Sequence, residues 1–330
     1  MGLISASDVS AQVQRFWNAY CHGSKDDLEQ MYLPSAIVFA PFARRSEPAQ
    51  LTLARRLRKL GNRTSSMSAE PGPIDVQIAG DAAIASYPYH FHLLKTNSDG
   101  RCLDLDAPYS RATQIFQLDQ SGALRIVHEH FSLSEPAKKV LIPREEASAR
   151  RSVRAPSQQN SGAFAGPFQV SDTGSFPASN PIPPDDIRAV IRGCWEALRN
   201  KSKDQLEAYY FPTAILFAID SRRSEPARLF MMRRAREFFS PASSASAELG
   251  PIDVQTAGAV AAVASYTFQF QLVRQLPSGK YQEQHVPLCR ATTVFRRDET
   301  GGLRILHEHQ SAIEVAPTKE VGARESVLSR

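Results

Sequence analysis

The sequence predicts an α+β fold built as a tandem duplication, and three observations carry that expectation. First, Leu124-Arg125-Ile126-Val127-His128-Glu129-His130 recurs as Leu303-Arg304-Ile305-Leu306-His307-Glu308-His309, with Ser132 and Ser311 at the same spacing beyond. Second, the segments before each copy match in register. Trp17 answers Trp195, Arg44-Arg45-Ser46-Glu47-Pro48-Ala49 recurs as Arg222-Arg223-Ser224-Glu225-Pro226-Ala227, and Arg111-Ala112-Thr113 recurs as Arg290-Ala291-Thr292. The offset is 178, becoming 179 after one extra residue in the second copy. A period this long means a duplicated domain rather than a solenoid. Third, each half carries helical spacing first and a run of strands afterwards, which predicts helices covering one face of a curved antiparallel sheet.

Each element has its own warrant. Val13, Phe16 and Trp17, inside Val9–Tyr20, follow the i, i+3, i+4 spacing of a helix face. Ser24, followed by Leu28 and Met31, starts a second short helix as its N-cap. Ala36-Ile37-Val38-Phe39 reads as a short strand. Ser46-Glu47-Pro48 opens a third helix that closes near Leu60 at Gly61-Asn62. From Ile74 the pattern turns to strand: Ile84–Leu94, Tyr109–Leu118 and Leu124–Leu133, separated by turns at Ser98-Asp99-Gly100 and Asp119–Gly122. The second half repeats the order, with helices near 185–199, 202–210 and 226–239 and strands near 214–218, 252–256, 261–273, 285–297 and 303–313.

Composition sets the boundaries. A chain of 330 residues fits about two domains at ~150 residues each. Residues 1–135 and 181–315 are the two copies. Between them, 136–180 is rich in Ser, Ala, Pro, Gly and Gln and reads as a flexible linker, and 316–330 reads as a disordered tail. A tether of this kind spans roughly 35–40 Å, long enough for the two domains to pair as a pseudo-dimer.

With 42% hydrophobic and 22% charged residues, the chain is ordinary for a globular protein. No apolar run approaches the ~20 residues that span a bilayer, and Met1-Gly2-Leu3-Ile4-Ser5 has no secretory pattern. Cys21, Cys102, Cys194 and Cys289 show no CxxC spacing and no repeat equivalence, so they read as free thiols and the location as cytoplasmic. The net charge is +5. Its basic clusters, such as Arg55-Arg56-Leu57-Arg58-Lys59, have no aromatic interleaving and no recognition-helix motif, so they read as solvated helix faces rather than a nucleic-acid surface.

Each half resembles the nuclear transport factor 2-like (NTF2-like) superfamily, in its SnoaL-like and ketosteroid-isomerase-like branch. It is similar to the association domain of calmodulin-dependent kinase II. The resemblance rests on Gly80-Asp81-Ala82-Ala83 before the long strand, on Arg111 and Arg290 in the next strand, and on Val127, His128, His130 and Ser132 in the last. It implies a cone-shaped domain with three helices on a curved sheet, and a superfold that hosts enzymes, binding modules and assembly domains alike.

Strict alternation along the last strand puts Ile126, His128, His130 and Ser132 on one face and Val127, Glu129 and Phe131 on the other. Two histidines at i, i+2 could share a metal, but no third ligand has an evident source, so no metal and no cofactor are expected. His130 and His309, nearer the strand end, are expected to see a pocket. Arg111 and Arg290 are isolated charges in apolar strands, which points to a structural ion pair or an anion pocket. By resemblance to the association domain they line the cavity, with Glu47 and Glu225 as candidate partners. The ligand-binding set is therefore Arg111, His130, Glu47, Arg290, His309 and Glu225, and the ligand an organic acid held in each domain. The competing expectation is an isomerase, cyclase or dehydratase that moves protons through Asp220 and His309 in the second copy. Counted from Ser-Glu-Pro, the family's base falls on Asp220 there but on Phe42 in the first copy.

Overall fold

The computed structural model describes residues 3–22, 25–41, 43–60, 65–96, 101–134, 138–142, 169–170, 181–219, 221–240, 242–276, 278–314 and 319–321. The chain divides into two units, Met1–Pro41 with Ser46–Thr173 and Phe42–Arg45 with Gly174–Arg330. Each has its own sheet and its own core. No described helix is long and apolar enough to cross a membrane.

The first unit begins with α1 (Ala6–His22), whose buried face is Val9, Val13, Phe16 and Trp17, as the helical spacing requires. There follow α2 (Lys25–Glu29), β1 (Tyr32–Phe39), β2 (Glu47–Pro48), α3 (Ala49–Leu60), β3 (Ser65–Pro71), β4 (Asp75–Ala79), β5 (Ala82–Thr96), β6 (Cys102–Leu118), β7 (Leu124–Leu133), β8 (Lys138–Ile142) and β9 (Gln169–Val170). The sheet order is β2-β1-β7-β6-β5-β4-β9, with β3 also on β5 and β8 also on β6. The sheet is mixed rather than antiparallel throughout. β1 runs parallel to β7, because the chain between them is a long crossover and not a hairpin.

In the second unit the elements are α4 (Pro184–Arg199), α5 (Lys203–Ala208), β10 (Tyr210–Phe217), β11 (Glu225–Pro226), α6 (Ala227–Phe238), β12 (Ser244–Ala257), β13 (Ala261–Gln275), β14 (Tyr281–Arg297), β15 (Leu303–Glu314) and β16 (Lys319–Val321). Their order is β11-β10-β15-β14-β13-β12, with β16 on β14 and a parallel β10–β15 pair. The turn before the last strand is built identically in both units. Asp119 accepts from the Ser121 hydroxyl, from Arg125 Nε and from two backbone amides, and Asp298 accepts likewise from Thr300, Gly302 and Arg304. These bonds, the hydroxyl first, hold both carboxyls below the usual carboxylate range. Gly122 and Gly301 close the turns at φ +82° and +85°, where a side chain would be strained.

Three expectations shift. The third helix of each unit starts at Ala49 and Ala227, and the Glu-Pro before it is a two-residue strand instead of a first turn. β8 lies inside the segment read as linker, with Lys138 in register with Asp106, and β16 lies inside the segment read as tail. Both are short additions that complete backbone hydrogen bonds of the β6 and β14 edges, which composition alone does not reveal. Finally, β7 and β15 do not alternate strictly. Phe116 pairs with Ile126 while Ile115 pairs with His128, leaving Val127 as a bulge; Leu306 is the bulge between Ile305 and His307. Ile126 and Ile305 therefore turn into the cores, away from the histidines.

Candidate functional site

The second unit has a cavity of about 120 Å³ between α4, α6 and one face of its sheet. α4 contributes Ile191, Cys194, Trp195 and Leu198, and α6 contributes Phe230, Met231, Arg234 and Phe238. The strands add Tyr210, Tyr266, Phe270, Gln284, Thr293, Glu308 and Gln310. The walls are thus mainly apolar and aromatic, with a few convergent polar groups, the usual make-up of a small-molecule site.

Glu308 is the centre of those polar groups, and only 3% of it is exposed. Tyr210 donates its hydroxyl to Glu308 Oε2 at 2.7 Å, and Thr293 Oγ1 lies 3.5 Å from Oε1. Burial raises the Glu308 carboxyl above its ordinary range, against the hydrogen bonds from Tyr210, Gln310, Thr293 and Tyr266. Burial first, and then the charge of Glu308, also pushes up the hydroxyls of Tyr210 and Tyr266 and the thiol of Cys194. These groups stay protonated as donors. At the more exposed side of the cavity, Arg234 Nη1 pairs with Glu237 Oε2 at 2.7 Å, and Arg274 holds the other oxygen of Glu237 at 3.0 Å.

The same positions in the first unit are occupied by hydrogen-bonded and stacked side chains. Glu129 accepts from Tyr32 Oη at 2.6 Å and from Gln114 Nε2 at 2.6 Å. Tyr87 Oη donates to Gln114 Oε1 at 2.8 Å, and Trp17 Nε1 donates to Tyr87 Oη at 3.1 Å. Phe16 stacks on Phe131 with ring centroids 6.1 Å apart, both fully buried. At the repeat offsets Phe16 corresponds to Cys194, Phe131 to Gln310, and Gln114 to Thr293. Each replacement in the second copy is smaller or more polar, and together they leave the space that forms the cavity.

The residues expected to bind ligand fall elsewhere. In register, Thr293 pairs with Glu308 on the cavity side of the sheet, while Arg290 pairs with Ser311 and Thr292 with His309 on the alternate pleat. Arg290 donates from Nε and Nη2 to Ser311 Oγ at 3.3 and 3.2 Å, and Arg111 Nε donates to Ser132 Oγ at 3.1 Å. The rings of His309 and His130 pack 5.0 and 5.1 Å from Phe217 and Phe39. All four are fully buried, and Arg290 and His309 are not among the described cavity-lining residues. Glu47 and Glu225 pair with Arg55 and Arg233 on their own third helices, not with the strand arginines. Asp220 lies outside the described residues. What the sequence reading passed over is Glu308, with Tyr210, Tyr266 and Trp195. Their signal was identity across the repeat, since Glu129, Tyr32, Tyr87 and Trp17 occupy the matching positions.

Among solved structures, similar chains include an NTF2-like superfamily protein from Salmonella enterica serovar Typhimurium, 20% identical, covering 39% of this chain and 89% of that one, with a TM-score of 0.33. The association domain of CaMKII from C. elegans is 15% identical over 39% of this chain and 94% of that one, TM-score 0.31. A structure from Catenulispora acidiphila in complex with S-DNPA is 14% identical over 39% and 91%, TM-score 0.32. No curated protein matches the chain. The family model described as SnoaL-like domain matches residues 187–315.

Proposed function

We propose that the second domain is the ligand-binding half of the protein and takes a small molecule with an apolar body, while the first domain is its filled counterpart. The observation that carries this reading is the pair of substitutions at equivalent positions: Phe16 and Phe131 stack in one copy, and Cys194 and Gln310 flank a cavity in the other. At about 120 Å³ the space suits a body of roughly one ring, well below the ~300 Å³ of a common drug-sized site. Arg290 is hydrogen-bonded to Ser311 on the sheet face opposite Thr293 and Glu308, and Arg111 is hydrogen-bonded to Ser132 in the first domain.

Single-ring probes such as benzyl alcohol or indole test the reading by their effect on melting temperature. Saturation at ~100 times the dissociation constant stabilises the binding domain by about 2.7 kcal/mol. Cys194→Phe with Gln310→Phe, which copies the first domain, is expected to abolish that response in a protein that still melts cooperatively. An unchanged response in the filled variant overturns the proposal.

A further inference from the structure

We infer that this cavity selects a compact organic cation, an amine or ammonium on a single-ring or short aliphatic body, held by Glu308 and the aromatic walls. The inference rests on the ligand-binding reading above and adds to it the charge of the ligand. Two charged side chains occur among the described lining residues, Glu308 and Arg234. Arg234 is already engaged by Glu237, which Arg274 also holds, so its charge is answered within the protein. Glu308 is enclosed and is met by neutral donors: the Tyr210 and Thr293 hydroxyls, with Tyr266 and Gln310.

The walls around that carboxylate are aromatic. Trp195, Tyr210, Tyr266, Phe230 and Phe270 all line the space, and the Trp195 and Phe270 rings stand 6.2 Å apart at 51°. Ring faces carry negative potential, so a cation among them gains both from the quadrupoles and from a carboxylate in a low-dielectric enclosure. An anionic ligand meets Glu308 as a like charge, and a neutral one gains wall contact alone. In the first copy the longer Gln114 sets an N–H donor 2.6 Å from Glu129. Thr293 replaces it with a shorter side chain, and the vacated space beside Glu308 is where a ligand N–H would lie.

Three probes of one shape separate the outcomes on the full chain: benzylammonium, benzyl alcohol and benzoate, compared by titration calorimetry. Benzylammonium is expected to bind about tenfold tighter than benzyl alcohol, with benzoate weakest. Glu308→Gln is expected to remove most of that preference. If benzyl alcohol or benzoate binds the parent as tightly as benzylammonium, the cation inference falls while the ligand reading stands. If Glu308→Gln keeps the preference, the inference also falls. If none of the three binds, both readings fall. Should Glu308→Gln not fold, the pH profile of the parent decides. Glu308 faces Tyr210, Tyr266, Cys194, Thr293 and Gln310, of which none carries a positive charge. Benzylammonium affinity is therefore expected to drop as acid neutralises the carboxyl, with benzyl alcohol affinity flat. Parallel profiles for the two probes overturn the inference.

Discussion

Gln114 Nε2 donates to Glu129 Oε1 at 2.6 Å in a fully buried network that runs back through Tyr87 to Trp17. The equivalent pair, Thr293 and Glu308, meets only at 3.5 Å. This side-chain difference is one of the three that separate the closed core network of the first copy from the cavity of the second. Gln114→Thr should transplant the opening. It removes a bond to a buried carboxyl and leaves a void, so the first domain should lose about 1–3 kcal/mol of stability. Urea unfolding monitored at Trp17 checks this; an unchanged midpoint would mean that Glu129 is not held through Gln114.

The aromatic plug offers a second contrast. Phe131 packs against Phe16, Trp17 and Tyr89 at centroid distances of 6.1, 5.7 and 5.8 Å. Phe131→Ala is expected to cost about 3–5 kcal/mol, as large-to-small changes in tight cores do. Gln310→Ala borders space that already exists, and should cost less than half as much. Equal losses in matched denaturation experiments would contradict the asymmetry between the copies.

How much of this was legible beforehand depends on which physical signal each feature carries. The duplication, the helix order and the long strands follow from repeat register and from spacings such as Val13, Phe16 and Trp17, which encode a buried face directly. The parallel β1–β7 pair has no such signal, because strand neighbours distant in sequence are chosen by tertiary packing. The face assignment of the last strand shifts at one residue. A bulge at Val127 and Leu306 is invisible in a pattern of apolar and polar positions, yet it uncouples Ile126 and Ile305 from the histidine face. The histidines and arginines drew attention as charged residues in apolar strands. Glu129 and Glu308 stand in equally apolar surroundings, and their identity across the repeat, with the tyrosines beside them, was the better pointer.

Arg290 is expected to behave as a structural residue. Two of its guanidinium nitrogens donate to Ser311 Oγ, and the side chain is fully buried. Arg290→Gln should lower stability by about 1.5–3 kcal/mol, the range for hydrogen bonds to a charged group. Affinity for the single-ring probes should stay within twofold of the parent once the variant is folded. A large loss of affinity with stability intact would return Arg290 to the ligand site.

His307 should make the second domain sensitive to acid. Its ring is fully buried, and loss of solvation pushes its pKa down to about 3 from 6.5. Between those values the unfolded chain binds a proton that the folded chain refuses. Stability from this group is therefore complete above about pH 6.5 and falls as pH drops toward 3. The slope is about 1.4 kcal/mol per pH unit, so roughly 2 kcal/mol is lost by pH 5. Glu308 works in the opposite sense. Its raised pKa means that folding favours its protonated form, so its contribution grows as the pH falls through the same acid region and offsets part of the histidine's loss. The two are separable by substitution. His307→Gln should flatten the decline between pH 6.5 and 5 without altering the drop at lower pH from other carboxylates, and Glu308→Gln should steepen the decline. Denaturant midpoints recorded at half-unit pH steps read both effects. A decline of the same slope in His307→Gln as in the parent would mean that the buried ring is not the group that titrates.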